Sequence, residues 1–315
     1  MVVPIGVTEP SRLAAVTELP IMASSPGYLI RRAQQIHVNL WQKLVLQDLT
    51  SVQYGILLVG AQRGAIDQTT IAGLMSLDKN TAADVLRRLR TRQLVARERD
   101  PGDGRRWLIR LTDEGRSTLL RASPAVITVQ DHMLHPLDSA EREAARRLMS
   151  LVAYRGYEPD TAPQLAVPGW PAKLPPLELH TAPGHLVRRS QQVHTFLWAQ
   201  EVSTELTSVQ YSVLLVLHHE SSADQVALSR GAGLDKATGA DVIARLHDRG
   251  LIHRKRDHTD ARRYQLRLSA KGVKVLRLHA YAVQKVQQRL MKPLSAAQRR
   301  RFISLMTKVI QANGY

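Results

Sequence analysis

The sequence predicts a mainly α chain with small β-hairpin wings, in which one domain is written twice. Three observations carry this. PGYLIRRAQQIHVNLWQKLVLQDLTSVQY, from Pro26, matches PGHLVRRSQQVHTFLWAQEVSTELTSVQY, from Pro183, at 17 of 29 positions without a gap. The same offset of 157 residues carries Leu77-Asp78-Lys79 onto Leu234-Asp235-Lys236, Asp103 onto Asp260, Gly115 onto Gly272 and Pro136-Leu137 onto Pro293-Leu294. Apolar residues recur at helical spacing through most of both copies, broken in each by one short alternating stretch. A period this long exceeds a solenoid unit, so each copy is read as a domain.

Within copy one, Ile30, Ala33, His37, Leu40, Trp41 and Leu44 share one stripe of a helix over 29–44, with Arg31 and Gln35 opposite. Thr50 or Ser51 caps a helix carrying Val52 to Ala61, a short helix covers Gln68 to Met75, and Asp78 caps a longer one to about Arg92 that buries Ala82, Val85, Leu86 and Leu89. VARERDPGDGRRWLIRLT then reads as a basic hairpin turning at Pro101 to Gly104, with Trp107, Ile109 and Leu111 on one face. Long helical patterns follow over 116–134 and 138–153, and in copy two over 273–291 and 295–311. The expected domains are 26–154 and 183–315. Prolines at 159, 163, 168, 171, 175 and 176 make 155–182 a semi-rigid linker, and 1–25 reads as a loosely ordered arm.

Composition narrows function. The chain has 315 residues, 44 Lys and Arg against 27 Asp and Glu, and a formal charge of +17, which points to a polyanionic partner, nucleic acid before a membrane surface. With no cysteine, disulfides, thiolate metal sites and thiol-based sensing are excluded. The sequence shows neither a membrane-spanning run nor a secretory leader, so a cytoplasmic protein is expected. Phosphate-cradling loops, nucleophile elbows, dinucleotide fingerprints and H-E-x-x-H are all missing, so no enzyme activity and no cofactor are expected. His132-x-x-His135 and His218-His219 do not recur in the other copy, and no metal site is expected from them.

A short helix, a turn, a long capped helix and a basic hairpin, in that order, make a winged helix-turn-helix. With Leu77-Asp78-Lys79 and Thr81, Arg88-Leu89 through Leu94-Val95, Asp103-x-Arg105 and Leu111-Thr112-x-x-Gly115, copy one resembles the MarR family of bacterial transcriptional regulators. Copy two repeats the pattern with Leu234-Asp235-Lys236 and Thr238, Arg245-Leu246 through Leu251-Ile252, Asp260-x-Arg262, Leu268-Ser269 and Gly272. Members are usually single-domain homodimers. The resemblance therefore implies an intramolecular pseudo-dimer, a monomer whose terminal helices from both copies pack as a dimerisation-type region and whose partner is a double-stranded DNA operator, an imperfect palindrome.

On the helix from Asp78 the inward stripe leaves Asn80, Ala83, Asp84 and Arg87 outward, flanked by Lys79, Thr81 and Arg88. Asn suits an adenine edge, Arg a guanine edge, and flanking cations suit phosphates. Copy two offers Ala237, Ala240, Asp241 and Ala244, flanked by Lys236, Thr238 and Arg245, a weaker reading face. At the wings Arg105 and Arg106, and Arg262 and Arg263, are placed to enter a narrow minor groove, with Asp103 and Asp260 orienting the arginine.

The resemblance also implies a small-ligand pocket, often for aromatic or phenolic acids. Gln34, His37, Trp41 and Tyr54 lie on or beside the inward stripes, and Gln191, His194, Trp198 and Tyr211 match them in copy two. Arg31-Arg32 and Arg188-Arg189 are candidate carboxylate partners, although Arg31 points away from the stripe and an arginine at a helix start is usually solvated. The function expected is a repressor released by a small ligand, with a ligand-independent DNA-architectural or anti-silencing protein as the alternative.

Overall fold

The computed structural model describes residues 19, 24–45, 48–157, 166–256 and 264–314. Each copy follows one order. A long helix starting at proline, a residue whose missing N–H is harmless at a first helical position, gives α1 (Pro26–Leu44) and α7 (Pro183–Glu201). Next come α2 (Ser51–Arg63) and α8 (Ser208–Glu220), each opened by a reciprocal capping box, Thr50 with Gln53 and Thr207 with Gln210. The helix-turn-helix pairs are α3 (Gln68–Met75) with α4 (Lys79–Thr91), and α9 (Gln225–Gly231) with α10 (Lys236–Asp248).

The wings pair β2 (Val95–Arg99) with β3 (Trp107–Leu111), and β4 (Ile252–Arg256) with β5 (Tyr264–Leu268), both antiparallel. In copy one a two-residue strand β1 (Ile66–Asp67) adds to the other edge of β3; in copy two the same place is a single bridge, Ala223 to Leu266. The strand β1 has too little length to leave a sequence pattern and was not expected.

The helices α5 (Asp113–Met133) and α11 (Ala270–Leu290) begin three residues before the expected starts of 116 and 273. Thr112 and Ser269 cap them by accepting from Gly115 and Gly272, so these glycines lie inside the first turn rather than ahead of it. A Cβ on Gly115 would stand 2.0 Å from Leu94 O, and on Gly272 2.1 Å from Leu251 O, so only glycine admits the strand to the helix start. The terminal helices are α6 (Ser139–Ala153) and α12 (Ala296–Ala312).

The described residues form two compact units, drawn differently from the repeats. The copy-one unit holds those of 33–191 and 293–314, the copy-two unit those of 1–32 and 192–292. The core of the copy-one unit gathers Trp41, Leu57, Ile71, Met75, Leu86, Leu89, Leu119 and Val126 from α1 to α5. In the same unit α6 packs on α12, burying Leu148, Met149 and Val152 with Phe302, Leu305 and Val309, and Lys308 Nζ reaches Glu141 Oε2 at 2.7 Å. Leu197, Trp198, Leu214, Leu228 and Leu246 are buried in the copy-two unit. On α1 the expected stripe is buried at Ile30, Ala33, His37 and Trp41, but Leu44 is exposed, and Leu29 and Arg32 outside the stripe are buried too.

Candidate DNA interface and ligand cavities

The helix α4 buries Ala82, Leu86 and Leu89 and leaves Lys79, Asn80, Thr81, Ala83, Arg87 and Arg88 exposed, with Asp84 half-buried. Asp78 fixes its start: Oδ1 accepts the amides of Asn80 and Thr81, and Oδ2 accepts the Thr81 hydroxyl at 2.6 Å. The Thr81 donor is therefore committed to the cap. Asp84 accepts from Arg87 and pairs with Arg88 Nε at 2.9 Å, and these arginines hold its carboxyl below the usual range. In α10, Asp235 repeats the cap with Thr238, and Asp241 pairs with Arg245 at 3.0 and 3.1 Å. Ala237, Ala240, Ala244 and Lys236 are exposed around that pair.

At the first wing Arg105 and Arg106 play different parts. The Arg105 amide donates to Asp103 Oδ1 at 3.0 Å, so Asp103 shapes the turn through the backbone and does not clamp a guanidinium as expected. Arg106 donates to Asp67, the N-cap of α3, and lies 3.9 Å from Asp100. Arg106 thus staples wing to helix, while Arg105 has no ion pair among the described residues. Arg97 and Arg99 stand over the Trp107 ring, each 4.1 Å from its centroid, and Arg254 over Tyr264 at 3.7 Å. Asp260, Arg262 and Arg263 lie outside the described residues.

Each unit also holds a cavity of about 30 Å3, partly open to solvent. In the copy-one unit His37, Trp41 and Tyr54 meet in series at tilted, edge-to-face angles, ring centroids 5.7 and 5.9 Å apart, and line it with Met75, Gln130 and Arg188. Trp41 Nε1 donates to Leu49 O at 2.6 Å, which fixes the indole. In the copy-two unit His194, Trp198 and Tyr211 stack at 5.8 Å for both steps and line the second cavity with Tyr28, Arg31, Ser212 and Gln287. Burial holds His37 and His194 at about 4, and neighbouring Arg188 and Arg31 add to that, so both imidazoles are neutral near pH 7.

The arginines come from the opposite repeat. Arg188, on α7, donates to Met75 O at 2.5 Å beside the His37 cavity. Arg31, on α1, donates to Ser212 Oγ at 3.2 Å and Gly233 O at 3.5 Å beside the His194 cavity. Among the described residues no carboxylate pairs with either, and dehydration lowers both to about 10, still charged. Glycine permits this approach: a Cβ on Gly184 would stand 2.3 Å from His37 Nε2, and on Gly27 2.4 Å from His194 Nε2. Gly184 and Gly27 donate their amides to Gln130 and Gln287 at 2.8 and 2.9 Å. Of the eight ligand-site residues expected from sequence, the structure brings six to the two cavities; Gln34 and Gln191 are half-buried but line neither.

Residues 49–107 and 206–264 each match the model of the MarR family. Over 126 residues the chain is 34% identical to the transcriptional regulator HosA of Escherichia coli O157:H7, a match spanning 40% of this chain and 93% of HosA. The chain belongs to the MarR family. It is also 29% identical over 124 residues to the HTH-type transcriptional repressor NicR of Pseudomonas putida, across 39% of this chain and 78% of NicR. The crystal structure of the PcaV transcriptional regulator from Streptomyces coelicolor in complex with its natural ligand shares 40% identity, covering 44% of this chain and 99% of PcaV at a TM-score of 0.42.

Both MarR matches run from the residues before the second helix of the copy to the wing, so the reading lobe is present twice. What sequence reasoning missed in these MarR lobes are the cation–π pairs on Trp107 and the tie from Arg106 to Asp67. It also missed the burial of Arg31, expected to be solvated. The available signal was that Arg31 and Arg188 occupy the same repeat position facing away from their own stripe. Beyond the two cavities, a hollow of about 750 Å3 lies between α5, α6 and 175–183, and its charges are mixed, Asp131 and Glu143 against Arg146 and Arg147. Among the described residues no His, Asp and Glu group is placed to hold a metal, and no helix is long and apolar enough to cross a membrane.

Proposed function

We propose that this MarR-family regulator is a repressor that holds an operator with both lobes and lets go when a small aromatic carboxylate enters its cavities. The observation that carries the ligand class is the pair of half-buried guanidiniums, Arg188 and Arg31, each without a carboxylate and each beside a His–Trp–Tyr stack. A dehydrated cation gains most from an anion that brings two acceptor oxygens in the plane of its fork, and the stack suits an aromatic ring attached to them. A cavity of about 30 Å3 admits roughly one water and no aromatic ring. Ligand entry must therefore widen it, and the bound state differs from this one, which is what coupling to DNA release requires.

The DNA side rests on the exposed faces of α4 and α10 and on Arg105, with Lys79, Asn80, Arg87, Arg88, Lys236 and Arg245 contacting the operator. NicR, a relative named as a repressor, supports the direction of control. Two lobes in one polypeptide, 26–154 and 183–315, let a single chain occupy one operator, its half-sites about one helical turn, roughly 10 base pairs, apart. Sedimentation of the complex tests this, because two chains per operator overturn it. For the ligand, a footprinted operator fragment is challenged with aromatic carboxylates. The wild-type chain releases it, whereas the double variant Arg31→Ala with Arg188→Ala binds DNA and does not let go. Unchanged release in that variant, or indifference of the wild-type chain to every acid tried, overturns the reading.

A further inference from the structure

The two cavities use corresponding positions of the repeat, yet their polar groups are differently engaged. In the copy-one unit Ser123 Oγ donates to Leu119 O at 2.7 Å, so the Tyr54 hydroxyl, 2.9 Å from the same oxygen, donates to it. At the position matching Ser123, copy two has Ala280. Tyr211, 3% exposed, accordingly has a buried hydroxyl with no hydrogen-bond partner among the described residues, and neither ring nitrogen of His194 has one there. Three polar atoms in this small cavity are thus unsatisfied, against His37 Nδ1 alone among the described lining of the copy-one cavity. Native interiors rarely leave such groups alone unless something arrives to satisfy them.

The walls differ in the same sense. A Cβ on Gly55 would stand 2.5 Å from Met75 Cε, so in copy one the thioether fills the space over that glycine. The matching residues of copy two are Ser212 and Ala232, a hydroxyl in place of no side chain and a methyl group in place of the long thioether. Ser212 Oγ accepts from Arg31 and donates to Ser208 O at 2.8 Å. Leu177 and Leu179 of the segment between the repeats line the copy-one cavity with further apolar surface, and Ser25 lines the other, while the matching serines Ser51 and Ser208 are common to both.

We propose that the two cavities are not equivalent: the copy-two cavity selects an aromatic carboxylate that also bears a ring hydroxyl, and the copy-one cavity favours the unsubstituted ring. This rests on the effector reading above. Arg31 receives the carboxylate, and the ring hydroxyl satisfies Tyr211 Oη or a His194 nitrogen. In copy one a ring hydroxyl meets Met75, a tyrosine whose proton is committed to Ser123 and a single unpartnered ring nitrogen, His37 Nδ1, so it gains less for the water it loses. Residues 123 and 280 are the specificity-determining pair.

Calorimetry on the full chain tests the proposal with benzoate and the three monohydroxybenzoates. Arg188→Ala leaves the copy-two cavity intact, and there the best hydroxybenzoate should bind about tenfold or more tightly than benzoate, the ratio one added hydrogen bond gives. Arg31→Ala leaves the copy-one cavity, where that preference should vanish or reverse. Adding Ala280→Ser to the first variant should abolish the preference, and adding Ser123→Ala to the second should create it. Equal preference in both single-cavity chains overturns the proposal. Should either arginine variant unfold, the wild-type chain decides by magnetic resonance: the His194 ring should respond to the hydroxylated acid at lower concentration than the His37 ring, and simultaneous response overturns the asymmetry. If neither class of acid binds the wild-type chain, the effector reading itself has failed.

Discussion

Helices α4 and α10 are capped by Asp78 and Asp235 through the same threonine contacts, and both bury an inward stripe, Ala82, Leu86 and Leu89 against Gly239, Ile243 and Leu246. Outward they part: Asn80 and Arg87 in one, Ala237 and Ala244 in the other. Cap and stripe decide whether the lobe folds. The outward face decides only what the lobe touches, so it is free to differ. The cavities follow the same division, with Trp41 and Trp198 fixed alike by Leu49 O and Leu206 O at 2.6 Å, while the partner of the tyrosine is kept in one copy and absent in the other.

That comparison breaks most visibly at the shared scaffold. Gly115→Ala and Gly272→Ala each drive a methyl group into a backbone carbonyl, and each should lower stability by about 3 kcal/mol, read from denaturant midpoints. A large loss at one site and none at the other would show that the lobes do not share their joint. On the outward face, Asn80→Ala and Arg87→Ala should each reduce discrimination by roughly 1 to 3 kcal/mol in a randomised-site selection, and Ala237→Asn with Ala244→Arg should sharpen the second half-site. Two equally sharp half-sites from the natural chain would mean the outward faces are wrongly assigned.

Smaller effects refine the picture. At pH 5.5 His37 and His194 should each withdraw about 1 kcal/mol of stability. Their folded values, about 4, lie below the ordinary histidine value of 6.5, so the unfolded chain binds the extra proton first. The stabilisation is complete above 6.5 and is lost as pH falls toward 4. Ring-proton titrations with midpoints near 6.5 would contradict this. Arg105→Ala should weaken operator binding by about 1 kcal/mol without moving the melting temperature, because the side chain is exposed and has no ion pair among the described residues. Arg106→Ala should instead loosen the wing and lower stability by less than about 1 kcal/mol, as an exposed pair does.

The helices were legible because their signals are local. Gln68–Met75 was read to the residue, and Asp78 was identified as a cap from its place before the apolar stripe. The start of α5 was misplaced because glycine reads as a breaker, and only the carbonyl of Leu94, distant in sequence, explains why it belongs inside the helix. The strand β1 was invisible because its pairing with β3 joins residues more than 40 positions apart. Six cavity residues came from helical periodicity together with the pocket that the family resemblance implies. Arg31 and Arg188 were named as candidate carboxylate partners, but their place was not legible, because Arg188 meets Met75 across 113 positions and Arg31 meets Ser212 across 181.

The closures by Gly27 and Gly184 also bear on how the protein comes into being. Gly184 reaches Gln130 across 54 positions, whereas Gly27 reaches Gln287 across 260. During synthesis the first closure becomes available soon after α7 leaves the ribosome. The second needs one segment to wait for another made 260 residues later. Long-range closures of that kind form slowly and late. Newly made chains therefore pass through a stage with the His37 cavity assembled and the His194 cavity open, and the second cavity closes only after the residues around Gln287 have been made.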